Sequence, residues 1–404
     1  MKKTLTNLDL MYIKDKKVLL RADLNVPLEK GIITDDTRIK AVLPTLEYLR
    51  LHQGKIIIFS HLGRIKKEED CKNLSLKVVS ERLSFYLKSN VVFVPATRGP
   101  LLEKAINDLL PGDVLLVENT RFEDLENKKE SHNDSELGKY WASLGDLFVN
   151  DAFGTAHRSH ASNVGISTNI QHKCFGFLIE KEINFLKKIM GEPERPLVGI
   201  LGGSKVSDKI QIIKNILKKV DFLLIGGGMS FTFFKALGHE IGTSLLDESS
   251  LDFVKELLSS SEGKKIILSQ DVVCGKEFSP ETEALVFDSD KIPSNVMGLD
   301  IGPKTVALFK HHIMSAKTIF WNGPLGVFEF EKFSKGTKAI AEIVNGLKDK
   351  AVTIAGGGDI AAALAKFKLN NNLSHISTGG GAFLEFLEGK EMPALEDIEK
   401  NLNI

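Results

Sequence analysis

Short apolar runs, each passing through a polar or glycine-rich turn into a stretch of helical periodicity, recur along the whole chain. This alternation restricts it to an α/β architecture with mainly parallel sheets. In the first half the runs are Val18 to Leu20, Ile56 to Phe59, Val91 to Val94, Val114 to Val117 and Leu147 to Val149. In the second they are Leu197 to Leu201, Phe222 to Ile225, Lys265 to Leu268, Thr318 to Phe320 and Val352 to Ala355. At 404 residues the chain exceeds what one core usually sustains, so two domains of similar size are expected. Between the halves, Ile179, Ile183, Leu186 and Met190 recur at helical spacing and predict an amphipathic helix. Gly191 and the prolines at 193 and 196 then stop it, as suits an interdomain joint.

Composition removes several function classes. With 53 basic and 53 acidic side chains there is no surplus for nucleic acid. No apolar run reaches membrane-spanning length and no apolar segment follows the basic start, so a cytoplasmic protein is expected. Cys71, Cys174 and Cys274 lie far apart without close Cys/His partners, which argues against a disulfide framework or a zinc site.

Three glycine triplets stand in the second half, each after an apolar or β-branched run: Gly226-Gly227-Gly228, Gly356-Gly357-Gly358 and Gly379-Gly380-Gly381. Glycine lets backbone approach a ligand closely, and amides at a strand-to-helix turn bind anions. Gly202-Gly203-Ser204-Lys205-Val206-Ser207-Asp208-Lys209 follows another run, with Ser204 as the expected N-cap and Lys205 and Lys209 on one flank of the helix. Those lysines are either solvated or hold a polyphosphate against the helix end. Asp359, after Gly356 to Gly358, either caps its helix or holds a divalent ion on phosphates. Gly226 to Met229 and Trp321-Asn322-Gly323-Pro324 to Glu329 also follow strands, and their glycine-lined, partly apolar walls with one carboxylate suit a purine and a ribose. No Walker string, no dinucleotide fingerprint and no protein-kinase string occurs.

The first half instead puts basic groups at strand ends: Arg21-Ala22-Asp23-Leu24-Asn25-Val26-Pro27, Ser60-His61-Leu62-Gly63-Arg64, Glu118-Asn119-Thr120-Arg121 and Asn150 to Arg158. Ligands bind there in open α/β sheets, and guanidinium forks suit carboxylate and phosphate, so a small ligand carrying both is inferred. Arg38 falls in the first turn of a helix, where the macrodipole disfavours a cation and an anion would remove the conflict. Asp23 and Asn25 either serve a ligand hydroxyl or, for Asp23, hold Arg21. His61, His157 and His160 are either structural or ligand-facing.

Taken together and in order, these strings resemble phosphoglycerate kinase over essentially the whole chain. The resemblance implies two Rossmann-like domains: residues 1–178, with 384–404 packing back on them, and 197–383, joined by a helix and linker over 179–196. It implies an acid substrate, 3-phosphoglycerate or 1,3-bisphosphoglycerate, on Asp23, Leu24, Asn25, Arg38, His61, Leu62, Gly63, Arg64, Arg121 and Arg158. ADP or ATP falls to Gly203, Ser204, Lys205, Lys209, Gly227, Gly302, Asn322, Pro324, Glu329, Gly356, Gly357, Gly358, Asp359 and Ile360, with Mg2+ near Asp359. Arg38, Lys205, Lys209, Gly357 and Gly358 are the catalytic candidates, and a monomer is expected. Closure at Gly191 to Pro196 and Ser377 to Gly381 is expected to join the two sites. Relatives usually carry Thr or Ser where this chain has Ile360, so a lost phosphate donor and nucleotide binding weaker by about 1 kcal/mol are expected. Ile65 replaces a common proline and bears only on loop shape. A two-domain solute receptor and a kinase for another small acid are the rival readings; ADP release from MgATP that depends on 3-phosphoglycerate separates them.

Overall fold

The structure, a computed structural model, describes residues 4–400. Its contacts divide the described residues into two units. The first holds everything up to Ile183 plus the stretch from Lys390, and the second is Asn184–Gly389.

In the first unit a six-stranded parallel sheet is formed by β1 (Lys17–Ala22), β2 (Lys55–Phe59), β3 (Val91–Val94), β4 (Val114–Val117), β5 (Leu147–Asp151) and β6 (His172–Phe175), in the order β3-β4-β2-β1-β5-β6. The runs read as strands are continuous in apolar residues because the central strands are buried on both faces; Leu19, Leu20, Ile57 and Leu115 have no exposed surface. β1 pairs with both β2 and β5, so the turns that follow these three strands leave the same edge of the sheet side by side.

The second unit repeats the plan with β7 (Leu197–Leu201), β8 (Phe222–Ile225), β9 (Ile266–Leu268), β10 (Thr318–Asn322), β11 (Val352–Gly356) and β12 (His375–Ser377), in the order β9-β8-β7-β10-β11-β12. The strand order reverses between β7 and β10, which makes a topological switch point with its crevice at the carboxyl ends. The α/β fold class with mainly parallel sheets holds for both units.

Sequence reading missed several strands. β6 and β12 are short edge strands carrying polar residues, which weakens the apolar signal. The antiparallel sheet of Asp271–Gly275, Leu285–Asp288 and Met297–Ile301 is half-exposed and shows no sustained apolar run.

The helix expected from Ile179 runs Phe177–Met190, starting earlier because Asp151 Oδ1 accepts the Leu178 and Ile179 amides at 2.8 and 3.1 Å. Residues 384–389, expected to return with the first domain, stay in the second unit. There the helix Gly381–Leu387 packs on Ile210–Leu217, and Asn215 Nδ2 donates to the Glu388 carbonyl at 2.6 Å. Only from Lys390 does the chain join the first unit: Asn150 Nδ2 donates to the Ala394 carbonyl at 3.1 Å, and Lys173 pairs with Asp397 at 2.8 Å. The expectation for 401–404 lies outside the described residues.

Candidate functional site

The first unit gathers its polar groups where β1, β2, β4 and β5 end. Asp23, just past β1, accepts from Arg38 Nη1 at 2.6 Å, and Arg38 is the second residue of the helix Thr37–Leu51. Asn25 Oδ1 accepts the Gly63 amide at 2.8 Å, while Arg121 Nη1 donates to the Gly63 carbonyl. Arg158 is exposed and donates through Nε to His157 at 2.8 Å. The cations feel one another: Arg121 is lowered by burial first and then by Arg158 and Arg21. His61 is pushed well below its ordinary value by burial and by Arg21, Arg121, His160 and Arg38; His160 falls to about 3 through burial and Arg21, Arg121 and Arg158. Such a convergence of positive charge favours an anion.

Some sequence-predicted residues are placed differently. The Leu24 and Leu62 side chains are buried, so these positions can offer a ligand only backbone. Arg64 is exposed in its loop, and among the described residues no hydrogen bond or ion pair ties it to the cluster. The residues that set this geometry were quoted in the motifs without being assigned a role. Asn119 grips the His61 loop through the Leu62 amide (3.1 Å) and carbonyl (2.7 Å), and Ser60 Oγ accepts the Leu24 amide at 2.9 Å.

In the second unit the turns after β7, β8, β10 and β11 interlock. The Gly202 amide donates to the Asn322 carbonyl, Gly203 to Pro324, and Met229 to the Gly203 carbonyl, each at 2.9 Å. Asn322 ties the last turn in: its Nδ2 donates to the Gly356 carbonyl at 2.6 Å and its Oδ1 accepts from Lys209 Nζ. Gly357 has a φ of +113°, and a Cβ there would lie 2.6 Å from Asn322 Nδ2, so only glycine fits. The helix Gly358–Lys366 then starts with no side-chain cap, leaving its first amides open to an anion.

Beside these turns lies a cavity of about 600 Å³ whose lining includes Gly203, Ser204, Gly227, Pro324, Glu329 and Asp359. Val327 belongs to the stretch up to Glu329 expected to form a partly apolar wall, but Phe231 from the helix Ser230–Ala236, Leu245 from a loop, and Met297 and Leu299 from the antiparallel sheet went unread, because those segments carry no motif. Asp300 also lines it, buried and pushed up to about 8 by that burial, while accepting the Gly336 and Ile301 amides at 2.6 and 2.9 Å.

Two expectations about the lysine turn need correction, the Ser204 cap and the shared helical flank of Lys205 and Lys209. Ser204 is no N-cap: the α-helix starts at Ile210 after a short turn at Ser207–Lys209, whose Ser207 amide donates to Asp247 at 2.8 Å. Lys205 is therefore exposed in a loop, and only Lys209 is held at the helix start, lowered to about 8 by burial against the pull of Asp359. Gly302 does not line the cavity; it opens the helix Pro303–Ser315 against Asp271, with a Cβ position 2.3 Å from that carboxyl group. The Ile360 side chain is fully buried in the core with Ala363 and Leu364, so position 360 offers an anion its amide alone.

The family model for phosphoglycerate kinase matches residues 8–390. The chain belongs to the phosphoglycerate kinase family. The curated phosphoglycerate kinase of Onion yellows phytoplasma (strain OY-M) is 64% identical over 400 residues, 99% of this chain and 100% of that protein. That of Fusobacterium nucleatum subsp. nucleatum is 57% identical over 400 residues, covering 98% and 99%. Among solved structures, phosphoglycerate kinase from Coxiella burnetii has a TM-score of 0.88 at 40% identity, covering 99% of this chain and 100% of that one. The Pyrococcus horikoshii OT3 phosphoglycerate kinase gives 0.83 at 30% identity, covering 99% and 98%. Among the described residues, no helix is long and apolar enough to cross a membrane.

Proposed function

We propose that the phosphoglycerate kinase activity of this chain is divided between its units, the acid bound in the first and the nucleotide in the second. The reaction is reversible phosphoryl transfer from 1,3-bisphosphoglycerate to ADP. The observation that carries this reading is the contrast between the two strand-end clusters: Arg38 on Asp23 together with Arg121 and Arg158 in one unit, and an apolar cavity beside an uncapped helix end in the other.

Transfer between an acyl phosphate and ADP needs little acid or base, because the leaving carboxylate is weakly basic and the attacking phosphate oxygen is already ionised. The difficulty is charge on the transferring group, which fixed cations and amides relieve. Arg38 from the first unit, with Lys205, Lys209 and the Gly357 and Gly358 amides from the second, are assigned that role. Asp23 and Asn25 orient the acid's hydroxyl, and Glu329 the ribose.

Among the described residues no cluster of three or more metal-ligating side chains occurs, so they offer no all-protein metal cage. Asp359, exposed at the cavity rim, fits Mg2+ held by one carboxylate and the nucleotide's own phosphates, the usual mode for this ion. When bound, Mg2+ would neutralise phosphate charge. Because the two sites belong to different units, transfer requires their approach, with bending assigned to Gly191 to Pro196 and Ser377 to Gly381. ADP release from MgATP that depends on added 3-phosphoglycerate tests the activity. Small-angle scattering that shows no compaction with both ligands bound would reject closure.

A further inference from the structure

Beneath the acid-side cluster runs a buried polar chain that the reaction scheme above does not use. Arg21 on β1 has no exposed surface; its Nε donates to Ser162 Oγ at 2.8 Å, and Ser162 donates in turn to Glu130, itself fully buried and also bonded by the Ser162 amide and Thr120. The other arm of the fork, Nη2, lies 3.3 Å from His61 Nδ1. A guanidinium has donors and no acceptor, so His61 Nδ1 must accept, and the proton of a neutral ring must sit on Nε2. Among the described residues no hydrogen bond holds Nε2, although the residue is buried. The charged groups that face this ring are Arg21 from β1, Arg38 from the helix Thr37–Leu51, Arg121 from the turn after β4 and His160 from the segment after β5, with Asp23 on Arg38 and Glu130 behind Ser162. The surroundings are predominantly cationic, which opposes a second proton on the ring.

We infer that Arg21 is a positioning residue that fixes His61 as a neutral Nε2–H donor, so that this histidine meets the anionic acid with a directed hydrogen bond and no charge. The inference rests on reading the cluster as the acid site, and its test separates the two. In the ¹⁵N-labelled protein without ligand, the imidazole correlation spectrum should show His61 as the neutral Nε2–H form from about pH 5.5 to 8. An Nδ1–H tautomer, or an imidazolium forming within that range, overturns the inference whatever the kinetics show. Arg21→Lys keeps the charge but cannot reach Ser162 and His61 together, and should release a mixture of tautomers; an unchanged single tautomer removes Arg21 from the role. If that variant does not fold, the unsubstituted protein's spectrum still decides the tautomer. For the acid side, His61→Gln places an amide donor near Nε2 and should keep the 3-phosphoglycerate KM within about threefold, whereas His61→Asn, which mimics Nδ1, should raise it about tenfold with the nucleotide KM unchanged. If both substitutions leave the acid KM alone while the spectrum is as expected, the acid-site reading of His61 fails and the tautomer assignment stands.

Discussion

The Asp23 carboxylate and the Arg38 guanidinium meet at 2.6 Å directly against Gly154, where an added Cβ would come within 2.2 Å of Asp23 Oδ2. The pair therefore exists only because residue 154 has no side chain, and Gly154→Ala must displace Asp23, Arg38 or both. The expected result is a 3-phosphoglycerate KM raised by about tenfold or more, roughly 1.4 kcal/mol, with the ADP KM unchanged in steady-state assays.

Arg38 is about one-third exposed and sits in a helix's first turn against the macrodipole, so its charge is spare for a ligand in a way a fully paired arginine's is not. Arg38→Ala is expected to lower kcat about a hundredfold or more while changing the ADP KM little. A raised ADP KM with kcat preserved would remove Arg38 from the transfer step.

Lys209 titrates near 8 because burial outweighs the pull of Asp359 and Asp208, so an arriving phosphate should raise its affinity for a proton. Calorimetric ADP titrations at pH 8 in buffers of different ionisation enthalpy should reveal uptake of about half a proton, and Lys209→Ala should abolish it.

Ile360 lies wholly within the core of its unit. Ile360→Thr is thus expected to destabilise the protein by about 2 kcal/mol, through a buried hydroxyl and lost apolar contact, and to leave the ADP KM within about twofold. Thermal unfolding alongside kinetics checks both halves; a tighter ADP KM would bear out the lost-donor expectation.

Asp300 and Asp151 are each raised by burial from an ordinary 3.8, to about 8 and about 7 respectively. Between those limits the folded state holds protons that the unfolded state has released, so their contributions to stability fall as pH rises from about 4 toward 8. Asp300→Asn and Asp151→Asn should each flatten the decline of the melting temperature across that range, and a steeper decline would contradict the assignment.

The parallel strands and the strand-end motifs were legible in the sequence for a simple physical reason. A strand covered on both faces must be continuously apolar, as at Leu197–Leu201, and the turns that face an anion must carry glycine, cap residues or cations locally, as at Gly356 to Asp359. Such signals are written within a few consecutive residues. Asp247 reaching across to the Ser207 amide, Asn119 gripping Leu62, and Asp271 filling the space beside Gly302 are pairings of residues far apart in the chain, and local patterns carry no trace of them.

The sequence by itself determined two α/β halves, one with arginines and one with glycine turns at its strand ends, and the order of motifs that carries the family. Only the tertiary structure decided which of those groups face open space. It left Lys205 exposed in a loop, turned Ile360 into the core, and set His61 against Arg21, because the direction of a side chain depends on what packs around it once the sheet has formed.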